Sequence, residues 1–266
     1  MIDGSTRVFA LLGDPVSHSL SPTMQNAAFR ALGLPATYVP LRCTAADLPG
    51  LLRAIARAGG GGNVTIPHKE AAGSAVDHRS ELASIVGACN TFWAEGGSVV
   101  GDNTDVDGLL AALDRLAPPE GSWLVAGTGG GARAAVAAAR RRGVAMSVAS
   151  RSDARRRTFE GWMEECGVAR ASPEECRVLL NATPLGLADA DPLPALPATP
   201  SAEVALDMVY ARGETRWVRA VRARGLRAAD GREMLVAQGA AALERWFPEA
   251  RAPVEVMRAA VAAALR

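Results

Sequence analysis

The chain has 266 residues, 49% hydrophobic and 21% charged, which supplies a real core and excludes a globally disordered polypeptide. Its 29 basic and 28 acidic side chains leave a formal charge of +1, which argues against a polyanion-binding surface and a nucleic-acid partner while leaving room for a local basic pocket. No run approaches the ~20 apolar residues that a membrane span needs, so no membrane partner is expected.

The opening residues carry Asp3 and Arg7 and lack an apolar signal core. Cys43, Cys89, Cys166 and Cys176 are far apart, and His18, His68 and His78 show no metal-ligand spacing. Reduced thiols, a cytoplasmic location and no metal are the expectation.

In chain order, short apolar runs alternate with helical patterns, the signature of parallel β/α construction. Val8 to Leu12 reads as a buried strand ended by Gly13-Asp14-Pro15. Ser21 reads as a helix cap with Pro22 at the first helical position, and Gly33 stops that helix. Tyr38 to Leu41 is a second strand, Asp47 to Ala58 a second helix and Gly62 to Ile66 a third strand. A different unit begins near Asp107. Its strand Trp123–Ala126 feeds a glycine loop, then an alanine-rich helix from Ala132 to Arg142 with Gly143 as its stop, then a strand from Val144 to Ala149. Further strands are read at Arg177 to Leu180 and Val204 to Met208, with a proline-rich loop from Asp189 to Pro200.

Gly127-Thr128-Gly129-Gly130-Gly131-Ala132 fits G-x-G-x-x-G/A between a strand and a helix. Gly127 permits the tight turn, Gly129 lets backbone approach a pyrophosphate, and the small Ala132 lets helix meet strand. The helix N-terminus offers free N–H groups to the phosphates. NAD sites place an acid at the tip of the next strand to hold the ribose 2′-hydroxyl. Here the tip reads Ser150-Arg151-Ser152, followed by Arg155, and arginine attracts a 2′-phosphate, so NADP is the expected cofactor.

Four polar clusters lie outside that unit: Gly13 to Pro22, Asn63 to Glu70, Gly87 to Thr91 and Asp102 to Asp105. They place hydroxyls, amides and charges at strand ends, as a small polyhydroxylated ligand would need, and Lys69 with Asp105 supplies a proton-transfer pair. Taken singly, the asparagines read as loop satisfiers, Asp105 as a cap for the helix near Val106 and Lys69 as a surface lysine.

Through these blocks, the glycine loop, Asn181-Ala182-Thr183-Pro184-Leu185-Gly186, Asp207-Met208-Val209-Tyr210 and Met234-Leu235-Val236-Ala237-Gln238, the sequence resembles the shikimate dehydrogenase family in collinear order over nearly its whole length. The resemblance implies an α/β protein with an N-terminal substrate domain (1–106 and 234–266), a Rossmann-type NADP-binding domain (107–233) and a C-terminal helix that returns to the first. It implies reversible reduction of 3-dehydroshikimate to shikimate, within aromatic amino-acid biosynthesis, by a monomer or homodimer. By matched position, Ser19 and Ser21 face the substrate carboxylate. Thr65, Asn90, Asp105 and Gln238 face the ring hydroxyls, with Asn63 and Tyr210 nearby. Lys69 and Asp105 are the catalytic pair. Arg151, Ser152 and Arg155 fall at the family's 2′-phosphate contacts, Ser150 at an adenosine contact beside them, and Gly127, Gly129, Gly130, Gly131, Ala132, Thr183, Met208 and Gly231 along the rest of the cofactor. A closing interdomain cleft is expected, because hydride transfer wants water excluded.

The sequence departs from the family pattern at Gln25 (commonly histidine), Ser150 (asparagine), Leu187 (methionine), Ala211-Arg212 (Asn-Pro) and Glu233 (glycine). Gln25 is expected to affect packing, and Glu233 the placement of the cofactor. Two other functions fit the same residues: a quinate/shikimate dehydrogenase using NAD or NADP, and a non-catalytic NADP- or metabolite-sensing module, which would not need both Lys69 and Asp105.

Overall fold

The computed structural model describes residues 2–186 and 191–266, in two compact units. The first comprises 1–105 and 235–264, and the second 106–234 and 265–266. The chain passes from the first to the second at 105/106 and back at 234/235 inside helices, not through linkers. Leu187 and the start of the proline-rich loop, Asp189 and Ala190, lie outside the described residues; 191–200 contains no helix or strand.

The first unit runs β1 (Arg7–Gly13), α1 (Ser21–Ala31), β2 (Ala36–Arg42), α2 (Leu48–Arg57), β3 (Gly61–Val64), α3 (Lys69–Ala75), β4 (His78–Arg79), α4 (Glu81–Val86), β5 (Thr91–Glu95) and β6 (Ser98–Asp102). Its sheet has the order β2-β1-β3-β5-β6-β4. β1 pairs in parallel with β2 and β3, while β5 is antiparallel to both β3 and β6. Leu48 and Leu52 of α2 pack on Leu12 and Phe92 on one face. On another, Phe9, Phe29 and Tyr38 meet Trp246 and Phe247 at ring-centroid distances of 4.9–6.0 Å. Phe9 and Phe29 are fully buried, which contributes about 2–3 kcal/mol each.

α5 (Asp105–Arg115) leads into the second unit: β7 (Trp123–Ala126), α6 (Gly130–Arg142), β8 (Met146–Ala149), α7 (Asp153–Glu165), β9 (Val178–Asn181), β10 (Val204–Asp207), α8 (Arg216–Ala223) and β11 (Arg227–Ala229). All pairings in this sheet are parallel, in the order β11-β10-β9-β7-β8. The order reverses between β7 and β9, and in such sheets ligands bind beyond the strand C-termini at the reversal. Alanines 134, 135, 138 and 139 of α6 are fully buried, so small side chains let that helix approach its neighbours closely. α9 (Arg232–Trp246) and α10 (Val254–Ala264) carry the chain back to the first unit, where α10 packs on α1.

Most elements differ from the sequence reading by a residue or two at their ends, β2, α2, β9 and β10 among them, and four of the differing boundaries have a local cause. Ser21 is not the cap of α1: Leu20 holds that position, Ser21 is the first helical residue, and the Ser19 hydroxyl accepts from the Ser21 N–H at 3.2 Å. β3 ends at Val64 because Thr65 to His68 turn back, with the His68 N–H donating to the Thr65 carbonyl. α6 begins at Gly130, with Gly129 as its cap. β8 begins at Met146 because the Val144 N–H is taken by the Ala139 carbonyl, closing the end of α6 around Gly143.

Candidate functional site

In the first unit, β3 and β5 run side by side and bring Asn63 opposite Thr91, next to Asn90. Lys69 opens α3, and Asp105 opens α5 just past the end of β6. The Lys69 Nζ donates to Asp105 Oδ2 at 2.6 Å, in a pair with side chains 24% and 11% exposed: shielded, yet reachable. The other Asp105 oxygen accepts from Asn90 Nδ2 at 2.9 Å. The Asn90 amide cannot turn over, because its Oδ1 accepts from the Thr104 N–H at 2.7 Å and from the Thr104 hydroxyl. Asp105 therefore does not serve merely as a helix cap; its own N–H donates to Asn103 Oδ1 at 3.1 Å.

Behind this pair, Asn63 Nδ2 donates to the Asn90 carbonyl, and Asn63 Oδ1 accepts from the buried Tyr38 hydroxyl at 2.8 Å. Burial pushes the Tyr38 phenol up, so it remains a donor. On the far side, Asp102 accepts from the Ser80 hydroxyl, from the Asn103 N–H at 2.7 Å and from Arg245 Nε at 2.8 Å. Asp102 thereby anchors the 102–105 loop that presents Asp105. Sequence reasoning assigned no role to Tyr38 or Arg245; the available signal was a tyrosine within an expected strand, and it is the buried residue of a half-exposed β2.

Thr65 lies beside β1, where a side chain at Gly13 would strike its Cγ2. Ser21 is buried, and Ser19 and Gln238 are half-buried. Gln238 Nε2 donates to the Leu235 carbonyl of its own helix. Gln25 is fully buried and donates to the Gly239 carbonyl at 2.9 Å, a tie between α1 and α9 consistent with a packing role. His68 contacts the Cys43 carbonyl through Nε2 at 2.9 Å. Tyr210 belongs to the second unit, past β10.

In the second unit, a cleft of about 550 Å³ opens at the β7/β9 reversal. Gly127, Gly129 and Thr183 line it, facing Ser150, Arg151, Ser152 and Arg155. Gly127 has φ +110, a conformation open to glycine, and a Cβ there would press on the Ala182 carbonyl at 3.1 Å. Nothing lies within 4 Å of where a Cβ at Gly129 or Gly130 would stand, so the backbone at the start of α6 is bare. The Ser152 side chain caps α7 by accepting from the Arg155 N–H. Gly130, Gly131 and Ala132 form the first turn of α6. Met208 passes between two glycines: a Cβ at Gly131 would lie 3.1 Å from its sulfur, and one at Gly231 2.4 Å from its carbonyl oxygen. Glu233 lies 3.6 Å from Arg115, so its charge is balanced within its own unit.

The wall carrying Thr183 is braced by Asp207, which is fully buried at the end of β10. Its carboxylate accepts from Asn181 Nδ2 at 2.9 Å, the Thr215 hydroxyl at 2.7 Å and the Val209 N–H at 3.3 Å. Asn181 Oδ1 in turn accepts from both the N–H and the hydroxyl of Thr183. Burial raises the Asp207 carboxyl to about 6, with the Asp230 charge adding to the effect and the three donors opposing it. The sequence reading quoted Asn181 and Asp207 within motifs but gave them no work.

A parallel sheet with a bare glycine turn at its order reversal and arginine at the next strand tip is the architecture of an NADP-linked α/β oxidoreductase. Comparison with known proteins narrows the class. Residues 11–92 match the model of the shikimate dehydrogenase substrate binding domain, and 231–262 that of the shikimate 5'-dehydrogenase C-terminal domain. The NADP(+)-dependent shikimate dehydrogenase of Rubrobacter xylanophilus is 42% identical over 92% of both chains, and that of Microcystis aeruginosa 35% identical over 98% of both. The crystal structure of shikimate 5-dehydrogenase from Thermus thermophilus in complex with NADP(H) and shikimate superposes with a TM-score of 0.88, at 37% identity over 97% of this chain and 99% of that one. The chain belongs to the shikimate dehydrogenase family.

Proposed function

We propose that this chain catalyses the reversible, NADP-dependent reduction of 3-dehydroshikimate to shikimate. The observation that carries the reading is the Lys69–Asp105 ion pair, half-shielded and locked from behind by Asn90. The bare turn at Gly129, the start of α6 and the arginines facing it fit a dinucleotide with a 2′-phosphate. In this reading Gly127, Gly129, Gly130, Gly131 and Ala132 hold the pyrophosphate. Ser150, Arg151, Ser152 and Arg155 hold the adenosine end, and Thr183, Met208 and Gly231 the nicotinamide end.

Bound NADPH supplies the hydride. The protein's part is orientation and one proton. Ser19 and Ser21 receive the substrate carboxylate through hydroxyls, and Thr65, Asn90, Asp105 and Gln238 receive the ring hydroxyls, with Tyr210 nearby. Asn63, its amide engaged by Tyr38 and the Asn90 carbonyl, acts chiefly by holding Asn90 in place. In reduction, Lys69 Nζ donates a proton to the oxygen that gains charge; in oxidation the neutral amine takes it back. Asp105 keeps the amine pointed at that oxygen. We place the protein in the cytoplasm as a monomer or homodimer; among the described residues no helix is long and apolar enough to cross a membrane.

An absorbance assay of nicotinamide reduction, with shikimate or quinate and NADP or NAD, tests the reading. Shikimate with NADP is the expected pair. Turnover confined to quinate with NAD overturns the substrate and cofactor assignment, and tight binding without turnover overturns the enzyme.

A further inference from the structure

A second cavity, about 420 Å³, adjoins the dinucleotide cleft and shares two of its walls, Thr128 and Arg155. Its other lining includes Arg133 from the second turn of α6 and Thr158 and Trp162 from α7. Among the described residues no carboxylate lines it, whereas two guanidinium groups do. The Arg133 guanidinium carbon stands 4.8 Å from the Trp162 ring centroid, a cation–π arrangement in which the indole supports a long side chain. Trp162 is itself steadied by Phe159, at 5.2 Å between ring centroids.

Nothing in the glycine loop requires an arginine at 133, because the loop works through backbone N–H groups. What the position does provide is a second cation facing the space over which Arg155 also stands. A phosphomonoester carries close to two negative charges and three acceptor oxygens, and is held best by more than one guanidinium. A guanidinium already ordered on an indole loses less freedom on binding than one loose in water.

We propose that Arg133, supported by Trp162, is a determinant of specificity for NADP over NAD. With Arg155 it forms a two-cation seat for the 2′-phosphate, entered from the dinucleotide cleft across Thr128. This rests on the reading of the cleft as an NADP site and extends the discriminating set from the strand tip to α6.

The test is calorimetric binding of adenosine 2′,5′-bisphosphate and 5′-AMP to the wild-type chain, Arg133→Gln, Arg133→Lys and Trp162→Leu, with kcat/KM for NADP and NAD measured alongside. Arg133→Gln is expected to lower the bisphosphate-to-AMP preference and the NADP-to-NAD ratio of kcat/KM at least tenfold. Arg133→Lys and Trp162→Leu are expected to produce smaller losses in the same direction. An unchanged ratio, whether or not overall affinity falls, overturns the proposal and leaves the cofactor reading standing. Failure of the wild-type chain to prefer the bisphosphate overturns the cofactor reading itself.

Discussion

Lys69 and Asp105 are 36 positions apart and meet at 2.6 Å, so neither side chain's behaviour follows from its own neighbours. Replacing Lys69 with alanine removes the proposed proton donor while leaving Ser19, Thr65 and Gln238 in place. Turnover of shikimate is expected to fall by about 10²–10⁴-fold, the usual range for a general acid–base group. Binding of shikimate by the variant, measured by calorimetry, is expected to persist; lost affinity with an unchanged maximal rate would make Lys69 a binding residue.

Asp207 poses the opposite electrostatic case. Its carboxyl sits at about 6 in the folded chain against 3.8 as its ordinary value, so between these pH values the folded state holds the proton that the unfolded chain has released. Stability from this group is therefore fully present below about pH 3.8 and is lost as pH rises through about 6, by about 3 kcal/mol at 1.4 kcal/mol per unit. Asp207→Asn removes the titration. Urea unfolding at pH 4 and pH 7 is expected to show the variant gaining on the wild type at the higher pH, and an identical gap at both values would refute the assignment.

At the scale of elements, the strands show how finely the backbone is fitted. A Cβ at Gly62 would lie 2.1 Å from the Ala10 carbonyl oxygen, inside the β1–β3 pairing. Gly62→Ala must push the two strands apart just before the Thr65 turn, with a loss of about 3 kcal/mol or more, typical of a severe steric or core disruption. Thermal unfolding of the variant checks this, and a change under 1 kcal/mol would mean that the strands yield easily.

Element type was legible in the sequence wherever apolar runs and glycine stops agreed, as in β7, α6 and Gly143. Element ends were not. Val144 is apolar and so reads as strand, but it spends its N–H on closing α6. Ser21 beside Pro22 has the composition of a cap, yet the helix begins one residue earlier in effect, with Leu20 at the cap. The polar clusters offered Lys69 and Asp105 as a proton-transfer pair and the family resemblance gave them their role, but spacing along the chain carries no information about the contact that folding makes between them. The Tyr38–Asn63 and Asp207–Asn181 supports escaped for the same reason.

For the whole molecule, the cofactor cleft and the Lys69–Asp105 cluster belong to different units, each with its own core. Saturating the cleft therefore adds stability through the second unit. At a free NADP concentration of one hundred times its Kd, the gain is about 2.7 kcal/mol. A melting transition of the second unit several degrees higher with NADP than without is the expected result in calorimetry, and an unmoved transition would contradict the assignment of the cleft.

The first unit is assembled from two segments that flank the second, and Phe9, Phe29 and Tyr38 are covered by Trp246 and Phe247. On the ribosome, then, the early-made strands wait with aromatic surface exposed until Trp246 and Phe247 have been made, while the stretch from 106 to 234 emerges as a continuous piece. The unit that carries the Lys69–Asp105 pair thus completes its aromatic core only after the second unit's stretch has been made, and synthesis stopped before Trp246 leaves the early strands sticky and incomplete.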